Sequence, residues 1–316
     1  MKSTDVVAVG EMLIDFLPGS EEGSYIRNPG GAPANFAIAA SRNGLSSGIF
    51  CKVGDDDFGR FLLRTLEENG VEYLCQNLCE DAVTTMAFVS LSESGERSFT
   101  FARKPGADMM LSASEIDEGI IKGAKPLHGG SCSLSKGPAA EATAYAIKKA
   151  AELGKLVSFD VNYRDVMWDK DKEAATERIM ELLEYVDLLK VSDEETDMFG
   201  GEKNILRLME EKNISCVVET LGAEGAKCFF DGEEVLVKGY KPCRVVDTTG
   251  AGDAFWGGFI SCLLINGADK REKLDRASVI NAAKYGNVSG CLCVEQKGAI
   301  ASLPSRDRIL SFLREI

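Results

Sequence analysis

A single histidine, His128, serves all 316 residues. A zinc site built on several histidines is therefore excluded. A Ser-His-Asp triad would have to run through His128, which stands in Leu127-His-Gly-Gly-Ser131 with no Gly-x-Ser-x-Gly elbow around it. His128 is expected to be a loop or strand-end residue without a catalytic part. The phosphate-binding pattern Gly-x-x-x-x-Gly-Lys-Ser/Thr is also missing, which rules out a P-loop. Positive charge is scarce: 36 Lys and Arg face 50 Asp and Glu, for a net charge of −14. Nucleic-acid binding needs basic residues to neutralise phosphates, so no nucleic-acid partner is expected. Any anionic ligand must be met by local cations, backbone amides or a metal ion. No apolar run is long enough to span a bilayer, and no apolar leader with a cleavage site opens the chain. A cytoplasmic protein with no membrane partner is the expectation. Ten cysteines are present, but the close pairs Cys75/Cys79 and Cys291/Cys293 lack metal-site spacing. They are expected to be reduced, mostly buried thiols.

What is present is a β-α-β rhythm. Val6–Gly10 reads as a strand and Ala34–Asn43 as a helix begun by Pro33. Ala139–Leu153 reads as a helix leading to a strand at Leu156–Asp160. Val186–Val191 and Cys216–Thr220 read as strands on either side of a helix over Glu202–Lys212. Near-continuous apolar strands alternating with helices predict an α/β fold, a mostly parallel sheet covered on both faces. No repeat, low-complexity tract or Pro-rich linker interrupts the chain, so residues 1–316 are expected to form one domain. The segments Thr84–Leu91 and Arg97–Arg103 break the rhythm. They flank Ser92-Glu-Ser-Gly-Glu96 and carry the alternation Ser98, Phe99, Thr100, Phe101, which is a hairpin pattern. With Ile14–Pro18 and Tyr25–Asn28 they could build a small antiparallel sheet, either a lid over a site or an ordinary edge hairpin.

The chemistry concentrates in Arg244-Val-Val-Asp247-Thr-Thr-Gly250-Ala-Gly252-Asp253-Ala-Phe-Trp-Gly-Gly-Phe-Ile260. Arg244–Val246 reads as a short strand, the glycines as a turn, and Ala254–Ile265 as an apolar helix. Helix starts expose unpaired N–H groups with positive partial charge. Gly250 and Gly252 let successive amides converge on one point, an anion hole that also takes in Ala251. A carboxylate at Asp253 would compete with a bound phosphate unless it had a task, and accepting a proton from an attacking hydroxyl is such a task. Two other readings exist. Asp253 could merely serve the helix N-terminus, which leaves Gly-Ala-Gly unexplained. Gly250-Ala-Gly252 could open a dinucleotide fingerprint of an oxidoreductase, but Phe255 stands where a third glycine or alanine belongs.

Asp247-Thr-Thr-Gly-Ala-Gly-Asp253 resembles the C-terminal signature of the ribokinase-like, or PfkB, carbohydrate kinases, and Gly30-Gly-Ala-Pro-Ala-Asn35 is similar to their N-terminal signature in its fructokinase-like form. The resemblance implies a ribokinase-like three-layer fold with a central, mostly parallel sheet and a small β lid from about residues 12–28 and 84–104. It implies Asp253 as the base, Gly250–Asp253 as the anion hole, and Asp15, Gly30, Gly31 and Asn35 as sugar contacts. Gly95-Glu-Arg97-Ser-Phe99-Thr-Phe-Ala-Arg103 looks like the lid strand, placing Phe99 or Phe101 over the sugar and Arg97 and Arg103 near hydroxyls or phosphate. Phe159-Asp160-Val-Asn162-Tyr-Arg164 resembles another sugar-side segment, with Val161 where the family usually has Pro.

On the nucleotide side, Lys190-Val-Ser192-Asp-Glu-Glu195 resembles the segment in which a glutamate holds Mg²⁺ through water. Thr220-Leu-Gly222-Ala-Glu-Gly225 resembles the nucleotide loop, and Asn281 is expected to face the base. Lys190 could counter phosphate charge. Asp247 and Thr249 are implied as ligands of a monovalent cation such as K⁺, with carbonyls around residues 299–302. The resemblance thus implies an ATP- and Mg²⁺-dependent kinase phosphorylating a primary hydroxyl of fructose to fructose 6-phosphate. A homodimer through the lids is its suggested assembly. Ribose, 2-keto-3-deoxygluconate or a nucleoside are alternative acceptors, and a non-catalytic sugar or nucleotide sensor is an alternative of another class.

Overall fold

The computed structural model describes residues 4–21, 23–91 and 97–315, with the backbone alone at residues 91 and 97–99. Thirteen strands occur among the described residues: β1 (Val6–Val9), β2 (Leu13–Pro18), β3 (Tyr25–Gly30), β4 (Ser47–Phe50), β5 (Val71–Tyr73), β6 (Met86–Leu91), β7 (Arg97–Ala102), β8 (Pro126–Gly130), β9 (Leu156–Asp160), β10 (Leu188–Ser192), β11 (Cys216–Thr220), β12 (Gly225–Phe230) and β13 (Glu233–Lys238). Nine form one sheet in the order β13-β12-β11-β10-β9-β8-β1-β4-β5. Its strands run parallel from β5 to β11, and β12 and β13 close one edge antiparallel. The chain builds outward from β1 in one direction through β4 and β5, then in the other through β8 to β11. The crevice outside the strand ends at such a switch point is where open α/β sheets take ligands.

The helices are α1 (Ala32–Arg42), α2 (Asp57–Glu68), α3 (Glu118–Gly123), α4 (Pro138–Glu152), α5 (Lys172–Leu182), α6 (Ile205–Lys212), α7 (Ala251–Ile265), α8 (Arg276–Cys293), α9 (Ala299–Ser302) and α10 (Arg306–Glu315). They cover both faces, which makes three layers. The strand period of two sends Val6 and Ala8 into the core beneath α1, α7 and α8, and Val7 and Val9 into the core beneath α4 to α6. Starts are set locally: Asp56 caps α2 by accepting from Gly59 N, and Asp275 with Ser278 forms a capping box on α8. Helix α7 buries eleven of its fifteen residues, because α1 and α8 flank it closely. A Cβ on Gly257 would lie 2.5 Å from the Ala39 Cβ, and one on Gly258 2.9 Å from the Ser289 Cβ. Trp256 is fully buried, and its Nε1 donates to Ser158 Oγ at 2.8 Å.

A second sheet, β3-β2-β6-β7, stands beside the strand ends. Both hairpins are antiparallel, but β2 and β6 pair in parallel, so the sheet is mixed where an antiparallel one was expected. Phe16 and Phe88 stack at 4.9 Å across that parallel pair. The turn at residues 92–96 lies outside the described residues.

His128 is inside β8, 2% exposed, and not at a strand end or in a loop. It stacks on Phe36 at 3.8 Å and its Nδ1 meets Ser158 Oγ at 3.0 Å. Burial, with Lys190 nearby, pulls its pKa down to about 3, so it is a neutral packing residue. All ten cysteines are free, and Cys243 alone is exposed.

Candidate active site

A cleft of about 520 Å³ opens at the carboxyl ends of β9, β10 and β11 and beneath the second sheet. Leu13, Asp15 and Phe101 line it from above, and Gly250, Gly252 and Asp253 from below. Gly250 is the N-cap of α7 with φ +80°, and a Cβ there would sit 2.9 Å from the Ala299 Cα. Both facts demand glycine. This left-handed residue turns the chain straight into the helix, so α7 begins at Ala251, three residues earlier than expected, and Asp253 lies in its first turn. The expected strand Arg244–Val246 is absent. Its residues find no neighbouring strand edge, and Val246 N donates instead to Val294 O at 2.7 Å. Of the four amides expected to form an anion hole, that of Ala251 is already engaged, donating to Thr248 O at 3.2 Å. The amides of Gly250, Gly252 and Asp253 have no carbonyl acceptor among the described residues, and they stand at the positive end of the helix.

Asp253 Oδ2 accepts from Asn35 Nδ2 at 2.7 Å. Burial raises the Asp253 pKa against the opposing pull of Asn35, Lys190 and Arg164. Asn35, expected to bind sugar, thus spends an amide N–H on Asp253, while its buried Oδ1 has no partner among the described residues. Asp15 on β2 is pushed up to about 6, mainly by burial and further by Asp253, with Arg164 pulling the other way. Gly31 lines the cleft with φ +112°, and a Cβ there would strike Glu11 O at 2.5 Å. Gly30 stands behind: a Cβ there would fall 2.4 Å from Asp15 Oδ2, so its bareness makes room for that carboxylate. Asn162 and Arg164 both line the cleft, Asn162 in the left-handed region with φ +36°, which asparagine tolerates better than most. Val161, in the proline position of the resemblance, donates its N–H to Lys190 O at 3.0 Å, a bond proline could not make.

Arg103 does not reach the cleft. Its guanidinium is held by Asp108, Nε to Oδ2 at 2.8 Å and Nη2 to Oδ2 at 2.7 Å, a buried pair that removes it from sugar or phosphate duty. The side chains of Arg97 and Phe99 lie outside the described residues.

A second cavity of about 290 Å³ adjoins the first, and Thr220, Gly252 and Thr248 line both. Gly222 and Gly225 border it, with Tyr240, Val245 and Phe255 supplying apolar walls. Asn281 does not: it is exposed on α8, and Asn287 lines the cavity instead, its Nδ2 donating to Val237 O at 2.9 Å. Lys190 and Ser192 face the first cleft. Glu195 also borders it, with Oε1 accepting from Tyr163 N at 2.7 Å and Oε2 from Ser192 N at 2.8 Å. With both oxygens committed to amides, Glu195 suits a Mg²⁺ ion through water better than by direct ligation. Asp247 Oδ1 accepts from Thr249 and its Oδ2 from Gly298 N at 3.0 Å. These bonds draw the 247–249 and 298–302 segments together into an oxygen-rich place that fits a monovalent cation. Among the described residues no cluster of three or more His, Cys, Asp or Glu could hold a metal directly.

The profile of pfkB family carbohydrate kinases matches residues 3–306. Fructokinase-1 of Zea mays is 37% identical over 320 residues, covering 98% of each chain. Probable fructokinase-3 of Arabidopsis thaliana is 38% identical over 98% of this chain and 91% of its own length. Among solved structures, fructokinase from Vibrio cholerae O395, bound to fructose, ADP and a calcium ion, superposes with a TM-score of 0.87 at 36% identity, over 99% of this chain and all of that one. Aminoimidazole riboside kinase from Salmonella enterica, complexed with aminoimidazole riboside and an ATP analogue, gives 0.85 at 30% identity, over 98% of this chain and all of that one.

Proposed function

The chain belongs to the pfkB family of carbohydrate kinases, and from that membership we propose that it is a fructokinase, moving the γ-phosphoryl group of ATP to the primary hydroxyl of fructose to give fructose 6-phosphate and ADP. The observation that carries the reading is Asp253, a carboxylate of raised proton affinity in the first turn of α7 beside unengaged amides. Asp253 takes the hydroxyl proton as that oxygen attacks phosphorus, and the amides of Gly250, Gly252 and Asp253 face the charge that develops on the transferring group. Asn35 orients the base through its hydrogen bond to Oδ2.

We assign the sugar hydroxyls to Asp15, Gly31, Asn162 and Arg164, and the nucleotide to the cavity of Thr220, Gly222 and Gly225 with Lys190 and Ser192 on the phosphate side. Magnesium held through water by Glu195 would neutralise phosphate charge. Asp247 and Thr249 are the residues we assign to a monovalent cation. The chain acts as one ribokinase-like domain whose small sheet is a lid that closes over the cleft and excludes water. Two copies joined through the lids are part of this proposal, as is a cytoplasmic location. No helix among the described residues is long and apolar enough to cross a membrane.

Relatives named fructokinase over nearly the whole chain favour fructose. The Salmonella kinase keeps a riboside acceptor as the second reading. A panel of hexoses, pentoses and nucleosides read by ADP release decides between them: fructose should turn over fastest, and a riboside turning over faster would sink the fructose assignment. Asp253→Asn should keep ATP binding and lose about 10²–10⁴-fold in turnover. Near-normal sugar-dependent ADP release in that variant would refute the base.

A further inference from the structure

Lys190, assigned above to the phosphate side, has a buried partner with no role in the steps above, Asp160. Lys190 of β10 and Asp160 at the end of β9 form a two-pronged ion pair, Nζ to Oδ1 at 2.9 Å and to Oδ2 at 2.8 Å, with the two residues 5% and 3% exposed. The sheet aligns them, since Lys190 and Asp160 are register partners on neighbouring parallel strands. The Val161 N–H to Lys190 O bond fixes the same spot from the backbone. A Cβ on Gly252 would lie 3.4 Å from Lys190 Nζ, so the ammonium sits at the first turn of α7, next to the base.

A buried ammonium beside a carboxylate ordinarily pairs with it. A paired carboxylate is a poor base, because an opposite charge within about 4–6 Å lowers an aspartate pKa by about 1–3 units. Here Asp160 takes the ammonium, and among the described residues the Asp253 carboxylate accepts only from the neutral Asn35 amide. The groups facing Asp253 are Asn35 from α1, Lys190 from β10, Asp160 from β9, Arg164 from the following loop, Asp15 from β2 and Cys293 from α8. Lys190 is the one buried cation among them.

We propose that Asp160 is a positioning residue that holds the Lys190 ammonium off Asp253, leaving the base unpaired until a hydroxyl arrives and the cation at hand for the phosphoryl group. The proposal rests on Asp253 being the base. Without Asp160, two carboxylates remain around the Lys190 ammonium, Glu195 and Asp253. Glu195 has both oxygens on backbone amides, so the flexible stem turns to Asp253.

The test is the pH dependence of sugar-dependent turnover in the wild type, Asp160→Asn, Lys190→Met and the double variant, alongside fructose titration and thermal melts. Asp160→Asn should move the acidic limb down by about one to three pH units. It should lower kcat by roughly ten- to a hundredfold, part of the ~10²–10⁴ that a general base contributes, while fructose affinity holds. Lys190→Met should move the limb up, and the double variant should bring it back between the two. A folded Asp160→Asn enzyme with its limb at the wild-type pH overturns the proposal, as does a double variant that tracks Asp160→Asn. Should Asp160→Asn fail to fold, Lys190→Met against the double variant decides. A limb above wild type in the former and lower in the latter supports the proposal, and coincident limbs overturn it. Asp253→Asn separates the two readings: a wild-type limb surviving in its residual activity removes the base itself, whatever Asp160 does.

Discussion

Glu11 is 3% exposed at the back of the cleft, with Oε1 accepting from Ala32 N at 3.3 Å and Oε2 buried without a partner. Burial raises its pKa from 4.5 to about 7, with Asp108 adding to the rise and Arg103 and the Ala32 amide opposing it. A folded value above the unfolded one means that protonation contributes stability. That contribution is complete below about 4.5 and lost as pH rises through about 7. The shift is worth roughly 3 kcal/mol. Glu11→Gln keeps the acceptor for Ala32 and removes the charge, so it should melt several degrees higher than wild type at pH 8 and show little gain near pH 4.5. An equal gap at both pH values would show that Glu11 is not neutral in the fold. Asp15 titrates at about 6, so as a sugar acceptor it fails on the acid side. The fructose KM should climb as pH falls from 7 to 5, by up to about tenfold per unit below the pKa, and Asp15→Asn should flatten the climb. A flat wild-type profile would remove Asp15 from the sugar contacts. At this scale Asp253 was marked by the glycines and helix start around it, while Asp15 and Asn35 came only through the resemblance to the N-terminal signature. The structure brings all three to one cleft. The Arg103 partner Asp108 was not legible, since a local ion pair leaves no periodic mark. The tie between Asn35 and Asp253 was hidden for another reason: it joins residues 218 positions apart.

Helix α7 carries Asp253, and Gly257 and Gly258 set how closely the helix lies on its neighbours. Gly257→Ala would drive a methyl to 2.5 Å from the Ala39 Cβ. Overpacking of this kind costs about 1–3 kcal/mol, which urea unfolding should show together with a loss of turnover, because α1 also carries Asn35. An unchanged midpoint would mean that α1 and α7 slide apart without cost. The strands of the large sheet were legible as apolar runs, with Leu156–Asp160 and Cys216–Thr220 matching to the residue. The valines at 245 and 246 have strand propensity too, yet no sheet edge is within their reach, and both are exposed. Asn281 was misplaced because α8 buries residues on nearly every side. A helix without a clear polar stripe gives no phase, and six residues further on Asn287 faces the other way.

Across the whole molecule, the small sheet is built from two stretches separated by α1, β4, α2 and β5. If it closes as a lid, hydrogen exchange should slow in residues 13–30 and 86–102 when fructose and a non-hydrolysable ATP analogue bind, while β8 to β11 stay as they were. Equal protection with and without ligands would leave it an ordinary edge sheet. The α/β class was legible from the alternation of strand and helix, but the parallel pairing of β2 with β6 was not. Register between strands some seventy positions apart is decided by Phe16 and Phe88 meeting, not by local pattern. The same long reach governs when the chain becomes competent during synthesis. β1 gains its partner β8 only after residue 126 has emerged, and Asn35 waits for Asp253 through most of the remaining translation. On the proposed roles, a nascent chain is therefore without its base, and cannot transfer phosphate, until residue 253 has left the ribosome.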